Sequence, residues 1–221
     1  MNYKVIKIKD YISYSEALEL QLKLYKDVED GTYEGVILVL EHKPVLTMGI
    51  RTDAENLLVS EEYLTEQGVE LHRSDRGGDI TFHGPGQIVV YPIFNLKKMG
   101  LKLKTYMHNL ELTIMDMLNT YAIKAHQRDE YPGVWIDNTK VCAIGVRVRK
   151  YITYHGLAIN ITTDKNYFNL INPCGITNFK VSAMNDFIVD VDIEKVKDQI
   201  IKSFESVYNI KTELVELKNI T

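Results

Sequence analysis

Arg76-Gly77-Gly78-Asp79-Ile80-Thr81-Phe82-His83-Gly84-Pro85-Gly86-Gln87 runs without a break into Ile88-Val89-Val90-Tyr91-Pro92. Four glycines, a proline, an arginine and a histidine fall within those first twelve residues, and an apolar run follows at once. The stretch reads as a loop packed against a buried strand, because glycine is favoured where the backbone must take positive φ or approach another group closely. A tight hairpin with incidental glycines would look similar. A guanidinium and an imidazole on one loop favour binding, since loops mounted on a rigid scaffold concentrate binding residues.

Outward from this loop, the 221 residues suit one α+β domain, 1–221, with a mixed sheet flanked by helices. Met1 to Asp10 alternates apolar and charged residues, so it reads as a strand and lacks the apolar core of a secretion signal. Ser13 and Glu16 have capping-box spacing ahead of a helix over 17–28, with Leu18, Leu22 and Tyr25 facing inward and Gly31 as the stop. Gly35 to Leu40 is a strand buried on both faces, and 57–68 a second helix. Tyr106, Leu110, Ile114, Met117, Leu118 and Tyr121 recur at helical spacing, as do Ile193, Val196, Ile200, Phe204 and Val207 behind a cap at Asp190 or Asp192. Val134-Trp135-Ile136, the turn formers Asp137-Asn138 and the run 140–148 form a hairpin, and a charged link 147–150 precedes a strand over 155–162. His108 and His126 read as surface residues.

The charge of −4 argues against nucleic acid as a partner, and no apolar run approaches the roughly 20 residues of a membrane span, so a cytoplasmic protein is expected. Two cysteines make no disulfide framework, and no Cys-x-x-Cys pair is present to hold zinc. A thiol reacts as its thiolate, so the two cysteines are separated by setting. Cys142 lies in Val141-Cys142-Ala143-Ile144, which implies burial, whereas Cys174 follows Asn172-Pro173 and precedes Gly175 in a presenting loop. Cys174 is therefore the candidate nucleophile. Lys140 is the candidate activator, because a nearby ammonium favours the thiolate and a partly desolvated lysine exchanges protons near neutral pH. Plain strand alternation puts Lys140 and Cys142 on one face, which would let the second thiol reach the same site.

Arg-Gly-Gly, two residues, then Thr-Phe-His-Gly-Pro-Gly-Gln with a Tyr four residues on resembles the motif of lipoate-protein ligase B, the octanoyltransferase family of lipoate synthesis. Gly133-Val134-Trp135 with Lys140 and Ala143-Ile144-Gly145, then His155 to Asn160 with Pro173-Cys174-Gly175, fit the same family in the same order. The resemblance covers about residues 76 to 175. It implies the fold of the biotin and lipoyl protein ligases and an acyl pocket lined by Arg76, Gly77, Gly78, Asp79, Ile80, Thr81, Phe82 and His83, by Ala143, Ile144 and Gly145, and by Gly156, Leu157 and Ala158. His83 is the histidine expected at the substrate. The resemblance also implies Cys174 as acyl-thioester nucleophile and Lys140 as the partner that lowers its pKa. The position of Cys142 departs from the family, where a small residue is expected.

On that resemblance the donor is octanoyl-acyl carrier protein, and the acceptor is a lysine on lipoyl domains of 2-oxoacid dehydrogenases or on the glycine cleavage H protein. No cofactor and no metal are implied. Neither a Walker phosphate loop nor a dinucleotide Gly-x-Gly-x-x-Gly is present. Two alternatives stay open: an ATP-dependent lipoate or biotin ligase on the same fold, and a non-catalytic carrier-binding module.

Overall fold

In chain order the elements are β1 (Tyr3–Lys7), α1 (Tyr14–Glu29), β2 (Gly35–Leu40), β3 (Val45–Met48), α2 (Glu61–Glu66), β4 (Glu70–Arg73), β5 (Thr81–His83) and β6 (Gln87–Phe94). They continue with α3 (Leu103–Thr120), β7 (His126–Gln127), β8 (Gly133–Ile136), β9 (Thr139–Arg149), β10 (Ile152–Asn160), β11 (Lys180–Val181), α4 (Ile193–Tyr208) and β12 (Thr212–Leu214). The computed structural model describes residues 3–172 and 180–219. Among these, a mixed sheet runs β12-β1-β2-β6-β10-β9-β8-β7, with β11 pairing with β9 beyond the end of β10, and β4-β3-β5 form a second small sheet. The pairs β12-β1 and β1-β2 are parallel, and β2-β6-β10-β9-β8 are antiparallel.

The large sheet is covered on both faces. Ile37 and Val39 of β2 point into a core shared with Leu110, Ile114 and Met117 of α3 and with Val196, Ile200 and Phe204 of α4. Val36, Leu38 and Leu40 point the other way, against Ala17, Leu24 and Val28 of α1. A strand with helices on both faces has no outward side, which is why β2 carries no polar residue. Met48, Phe82 and Ile80 make a third cluster with Leu64 of α2 inside the small sheet. No helix among the described residues is long and apolar enough to cross a membrane.

The capping box forms as the spacing requires: Ser13 Oγ accepts the Glu16 N–H at 3.3 Å, and the Glu16 carboxylate accepts the Ser13 N–H at 3.1 Å. The buried stripe of α1 is displaced from the expected one. Leu24 is fully buried and Leu22 is 42% exposed. Gln21 holds a stripe position because its side-chain oxygen accepts the His155 N–H at 2.8 Å, a long-range bond that apolar periodicity cannot register.

The helix expected over 57–68 is shorter, because Leu57 leaves it to bridge Ile171 and pack beside the small sheet. Ser60 then caps α2 through the Tyr63 N–H at 3.2 Å. The charged stretch 147–150 is the end of β9 and half of a hairpin turn, not a link, and β10 begins at Ile152. Lys150 and Tyr151 take φ of 48° and 66°, the left-handed pair that a two-residue hairpin loop needs. The expected α3 and α4 form, with Asp192 accepting the Glu194 and Lys195 N–H groups at 3.0 and 3.2 Å. His108 and His126 are exposed.

Candidate active site

A cavity of about 740 Å³ lies between the α1 face of the large sheet and the small sheet. This is within the usual size range for small-molecule pockets. Arg76, Gly78, Asp79, Ile80, Thr81, His83, Lys140, Ala143, Ile144, Gly145, Gly156, Leu157 and Ala158 all line it. Two residues expected in the lining lie elsewhere. Gly77 packs its backbone on β9, donating to the Val146 carbonyl at 3.0 Å, and Phe82 is 1% exposed inside the small sheet, stacked on Tyr167 at 4.3 Å. Phe82 follows from the pleat of β5, in which Thr81 and His83 face the cavity and the residue between them faces away. Cys174 lies outside the described residues.

Two breaks in strand alternation assemble this lining. On β9, Val134 pairs with Cys142 while Trp135 pairs with Lys140, leaving Val141 as a bulged residue. Val141 and Cys142 consequently both enter the α3-side core, and Lys140 turns over to the cavity face that carries Ala143 and Gly145. Lys140 and Cys142 therefore do not share a face, contrary to plain alternation. Burial pushes the Cys142 thiol far up, against a smaller opposing effect of Lys140. On β10, His155 has φ of 55°. Both Tyr154 and His155 thereby lie on the α1 face, Tyr154 edge-on to Tyr25 and His155 parallel to Tyr14. Left-handed backbone at a non-glycine residue costs about 1–2 kcal/mol and is held here by the surrounding contacts.

Cross-strand pairing sets Ala143 opposite Ala158 and Gly145 opposite Gly156, two rungs about 7 Å apart along the strands. The two alanines leave open space for a linear apolar chain, which binds at about 0.8 kcal/mol per CH₂. Gly145 does something different. A Cβ there would lie 2.7 Å from the Gly77 carbonyl and 3.4 Å from Arg76 Cδ, so its missing side chain admits the Arg76 segment rather than a ligand.

Beyond Gly145 the wall is polar and buried. The Arg76 guanidinium donates to Thr47 Oγ1 at 3.1 and 2.9 Å, to the Thr47 carbonyl, and to the Gly77 carbonyl at 3.1 Å, which ties the glycine loop to β3. His42 Nδ1 donates to the Ile12 carbonyl at 3.1 Å, so its Nε2 accepts the Tyr91 hydroxyl at 2.7 Å. Gln87 Nε2 donates to the Phe82 carbonyl and to Asn160, leaving its oxygen to accept His83 Nδ1–H at 2.7 Å. Desolvation holds His42 neutral, down to about 4, pushes His83 well below the usual range and lowers His155. His155 Nε2 donates to Asp75 at 2.9 Å and the Tyr154 hydroxyl donates to the same carboxylate. The His155 hydrogen bond is the main reason that Asp75 falls to about 2.

The turn at 84–86 is anchored from the far side. Glu41 accepts the Gly86 N–H at 2.9 Å and pairs at 3.0 Å with Lys197, a 2% exposed lysine of α4.

Tyr14, His42, Thr47, Asp75, Tyr91 and Asn160 were not foreseen at the site. Four of them sit in segments that read as ordinary helix, strand or turn, and two carry a signal: Tyr91, as the tyrosine closing the glycine-loop motif, and Asn160, as the last residue of the 155–160 motif. Among the described residues, no group of three or more His, Cys, Asp or Glu is placed to hold a metal ion.

Comparison with known proteins agrees with this architecture. Residues 13–205 match the family model for the lipoyl protein ligase A/B catalytic domain. A protein of Caldanaerobacter subterraneus subsp. tengcongensis named octanoyltransferase is 44% identical over 207 residues, covering 93% of this chain and 90% of its own length. A lipoate-protein ligase A solved with bound ATP superposes with a TM-score of 0.85 at 16% identity, covering 100% of this chain and 91% of that one. The biotin protein ligase of Aquifex aeolicus superposes with a TM-score of 0.55 at 16% identity, over 95% of this chain and 70% of that one. At such identities the two ligases establish a common fold.

Proposed function

The chain belongs to the family of lipoyl protein ligase A/B catalytic domains, and from that membership we propose that it is an octanoyltransferase acting in protein lipoylation. The 44% identity to a named octanoyltransferase along nearly the whole chain carries this reading. The cavity supports it: an alanine-floored slot for a linear chain leads from a polar wall of neutral histidines, tyrosines and the Arg76 guanidinium to Lys140.

The reaction is written in two steps. The Cys174 thiolate attacks the thioester carbonyl of octanoyl-acyl carrier protein, and the carrier thiolate leaves and takes a proton from Lys140. The ε-amine of a lipoyl-domain lysine then attacks the enzyme thioester. The amide forms, Cys174 leaves as thiolate, and Lys140 accepts the proton released by the amine. Thioester exchange is near-neutral in energy and amide formation is downhill, so ATP is not consumed. In this proposal 2-oxoacid dehydrogenase lipoyl domains or the glycine cleavage H protein are the acceptors, and the cytoplasm is the compartment.

The test uses the full chain with octanoyl carrier protein and a lipoyl domain, in EDTA and without nucleotide. Octanoylated lipoyl domain is expected, with an octanoyl adduct on Cys174 by peptide mapping when acceptor is omitted. Transfer only from free octanoate or lipoate with Mg-ATP would make the protein a ligase. Carrier binding without turnover under either condition would make it a binding module.

A further inference from the structure

The cavity end of Lys140 is built by a relay that starts on a helix facing the other side of the sheet. Glu111 of α3 is 9% exposed and accepts the Gly133 N–H at 3.0 Å. The adjoining Pro132 carbonyl accepts the Lys140 ammonium at 3.1 Å. The same ammonium stands 5.0 Å from the centre of the Trp135 ring, and Trp135 Nε1 donates to the Tyr131 carbonyl at 3.2 Å. Gly133 is bound into this arrangement by its own backbone. Its φ is 134°, and a Cβ there would lie 2.4 Å from the Cys142 carbonyl and 3.2 Å from Lys140 Cε. The 131–133 segment is thus pinned at consecutive residues, and the lysine takes its position from that segment.

We propose that Glu111 is a positioning residue for Lys140: it fixes the 131–133 segment through the Gly133 amide, and its buried negative charge favours the protonated lysine held on the other side of the Pro132–Gly133 peptide. A neutral oxygen would satisfy the Gly133 amide equally well. A carboxylate there is disfavoured by burial, which raises its pKa, while Lys140 acts on it in the opposite direction. What a carboxylate adds over a neutral oxygen is its charge, and Lys140 is among the groups that favour the charged form. Among the described residues, the other titratable or charged groups around Lys140 are Glu130 and Tyr131, which line the same cavity, Lys180 on β11, Arg128, which stands over the same Trp135 ring, and Cys142, on whose thiol both Lys140 and Glu111 act. His108 and Asp129 act on Glu111 itself.

The inference rests on the reading of Lys140 as the proton-transfer partner of Cys174, and the experiment separates the two. Single-turnover acylation by octanoyl carrier protein is followed by intact mass across pH 6 to 9 for wild type, Lys140→Ala, Glu111→Gln and Glu111→Ala, with melting curves for each. Lys140→Ala is expected to lose on the order of 100-fold or more in rate and to abolish one limb of the profile. Glu111→Gln keeps an acceptor for Gly133 and removes the charge. It is expected to melt with wild type, keep the carrier KM, and move to lower pH the limb that Lys140→Ala abolishes. Glu111→Ala loses the anchor as well and is expected to fall about 10- to 100-fold in kcat, as misplacement of a catalytic group by about 1 Å does. A wild-type rate and profile in Glu111→Gln, with Lys140→Ala inactive, overturns the role of Glu111 and leaves that of Lys140 standing. An unaffected Lys140→Ala overturns both. An unfolded Glu111→Ala leaves the decision with Glu111→Gln.

Discussion

The two faces of the large sheet are built on different principles. On the α3 and α4 face, Ile37, Val90 and Ile159 meet the apolar stripes of two helices, and the bulged pair Val141 and Cys142 is packed into the same apolar core. On the α1 face, a bulge at Val141 and a left-handed His155 break the alternation, and neutral histidines, tyrosines and Arg76 are buried there. The first face supplies stability through area removed from water. The second spends part of that stability on holding polar groups in fixed protonation states around a cavity. Substitutions of the apolar packing on the first should therefore change stability and leave chemistry intact, with Glu111 of α3 the exception, and changes on the second should be felt through protons.

The largest expected effect tests the apolar face. Phe204 is fully buried, stacked on Tyr208 at 5.6 Å and edge-on to Phe94 at 6.4 Å. Phe204→Ala should cost about 3–5 kcal/mol in denaturant titrations. Octanoyl transfer per folded molecule should stay at the wild-type value. A fall in kcat at full folding would mean that the two faces are coupled.

A smaller effect distinguishes the polar face. His42, His83 and His155 all have folded pKa values below the unfolded value of about 6.5, so below that pH the unfolded chain binds more protons than the folded one. Stability is therefore full above about pH 6.5 and falls as the pH drops towards about 4, where His42 itself protonates in the fold. One such histidine contributes a slope of up to about 1.4 kcal/mol per pH unit. Asp75, held at about 2 chiefly by the His155 hydrogen bond, adds a loss in the same direction only below about pH 4. Melting temperatures between pH 7 and 4.5 should show a shallower decline for His42→Gln than for wild type. Phe204→Ala should lower the whole curve without changing its slope. Parallel curves for His42→Gln and wild type would remove His42 from the titration.

The same contrast explains how much was legible in the sequence. Regular structure follows local rules, so the Ser13 capping box, the all-apolar β2 and the stripes of α3 and α4 could be read from spacing alone. The motif residues of the cavity were legible as a set through the family resemblance. Their geometry was not. One bulged residue inverts the face of Lys140, and Gln21, which accepts a hydrogen bond from the His155 N–H, replaces a leucine in the stripe of α1. The turn at Lys150-Tyr151 and the strain at His155 lack the glycine that usually marks left-handed backbone. The polar wall and its supports join residues as distant in sequence as Ile12, His42, Asp75 and His155, which no local pattern connects.

The smallest expected effect is the sharpest test of the separation, because it concerns two adjacent residues of one strand. Cys142 and Ala143 point to opposite faces: Ala143 lines the cavity, and Cys142 is fully buried against α3 with its thiol pushed up by desolvation. A thiol in that setting stays protonated and behaves as a small apolar group. Cys142→Ala should therefore cost only about 1 kcal/mol, the cost of a methyl-sized void. Native alkylation by iodoacetamide should be unchanged in rate and stoichiometry, since it reports Cys174. In denaturant, where both thiols are free, wild type should take up two equivalents and Cys142→Ala one. Octanoyl transfer should persist in Cys142→Ala and vanish in Cys174→Ala. Loss of transfer in a folded Cys142→Ala would mean that the bulge at Val141 does not separate the two faces, and that the thiol beside Ala143 reaches the acyl chain.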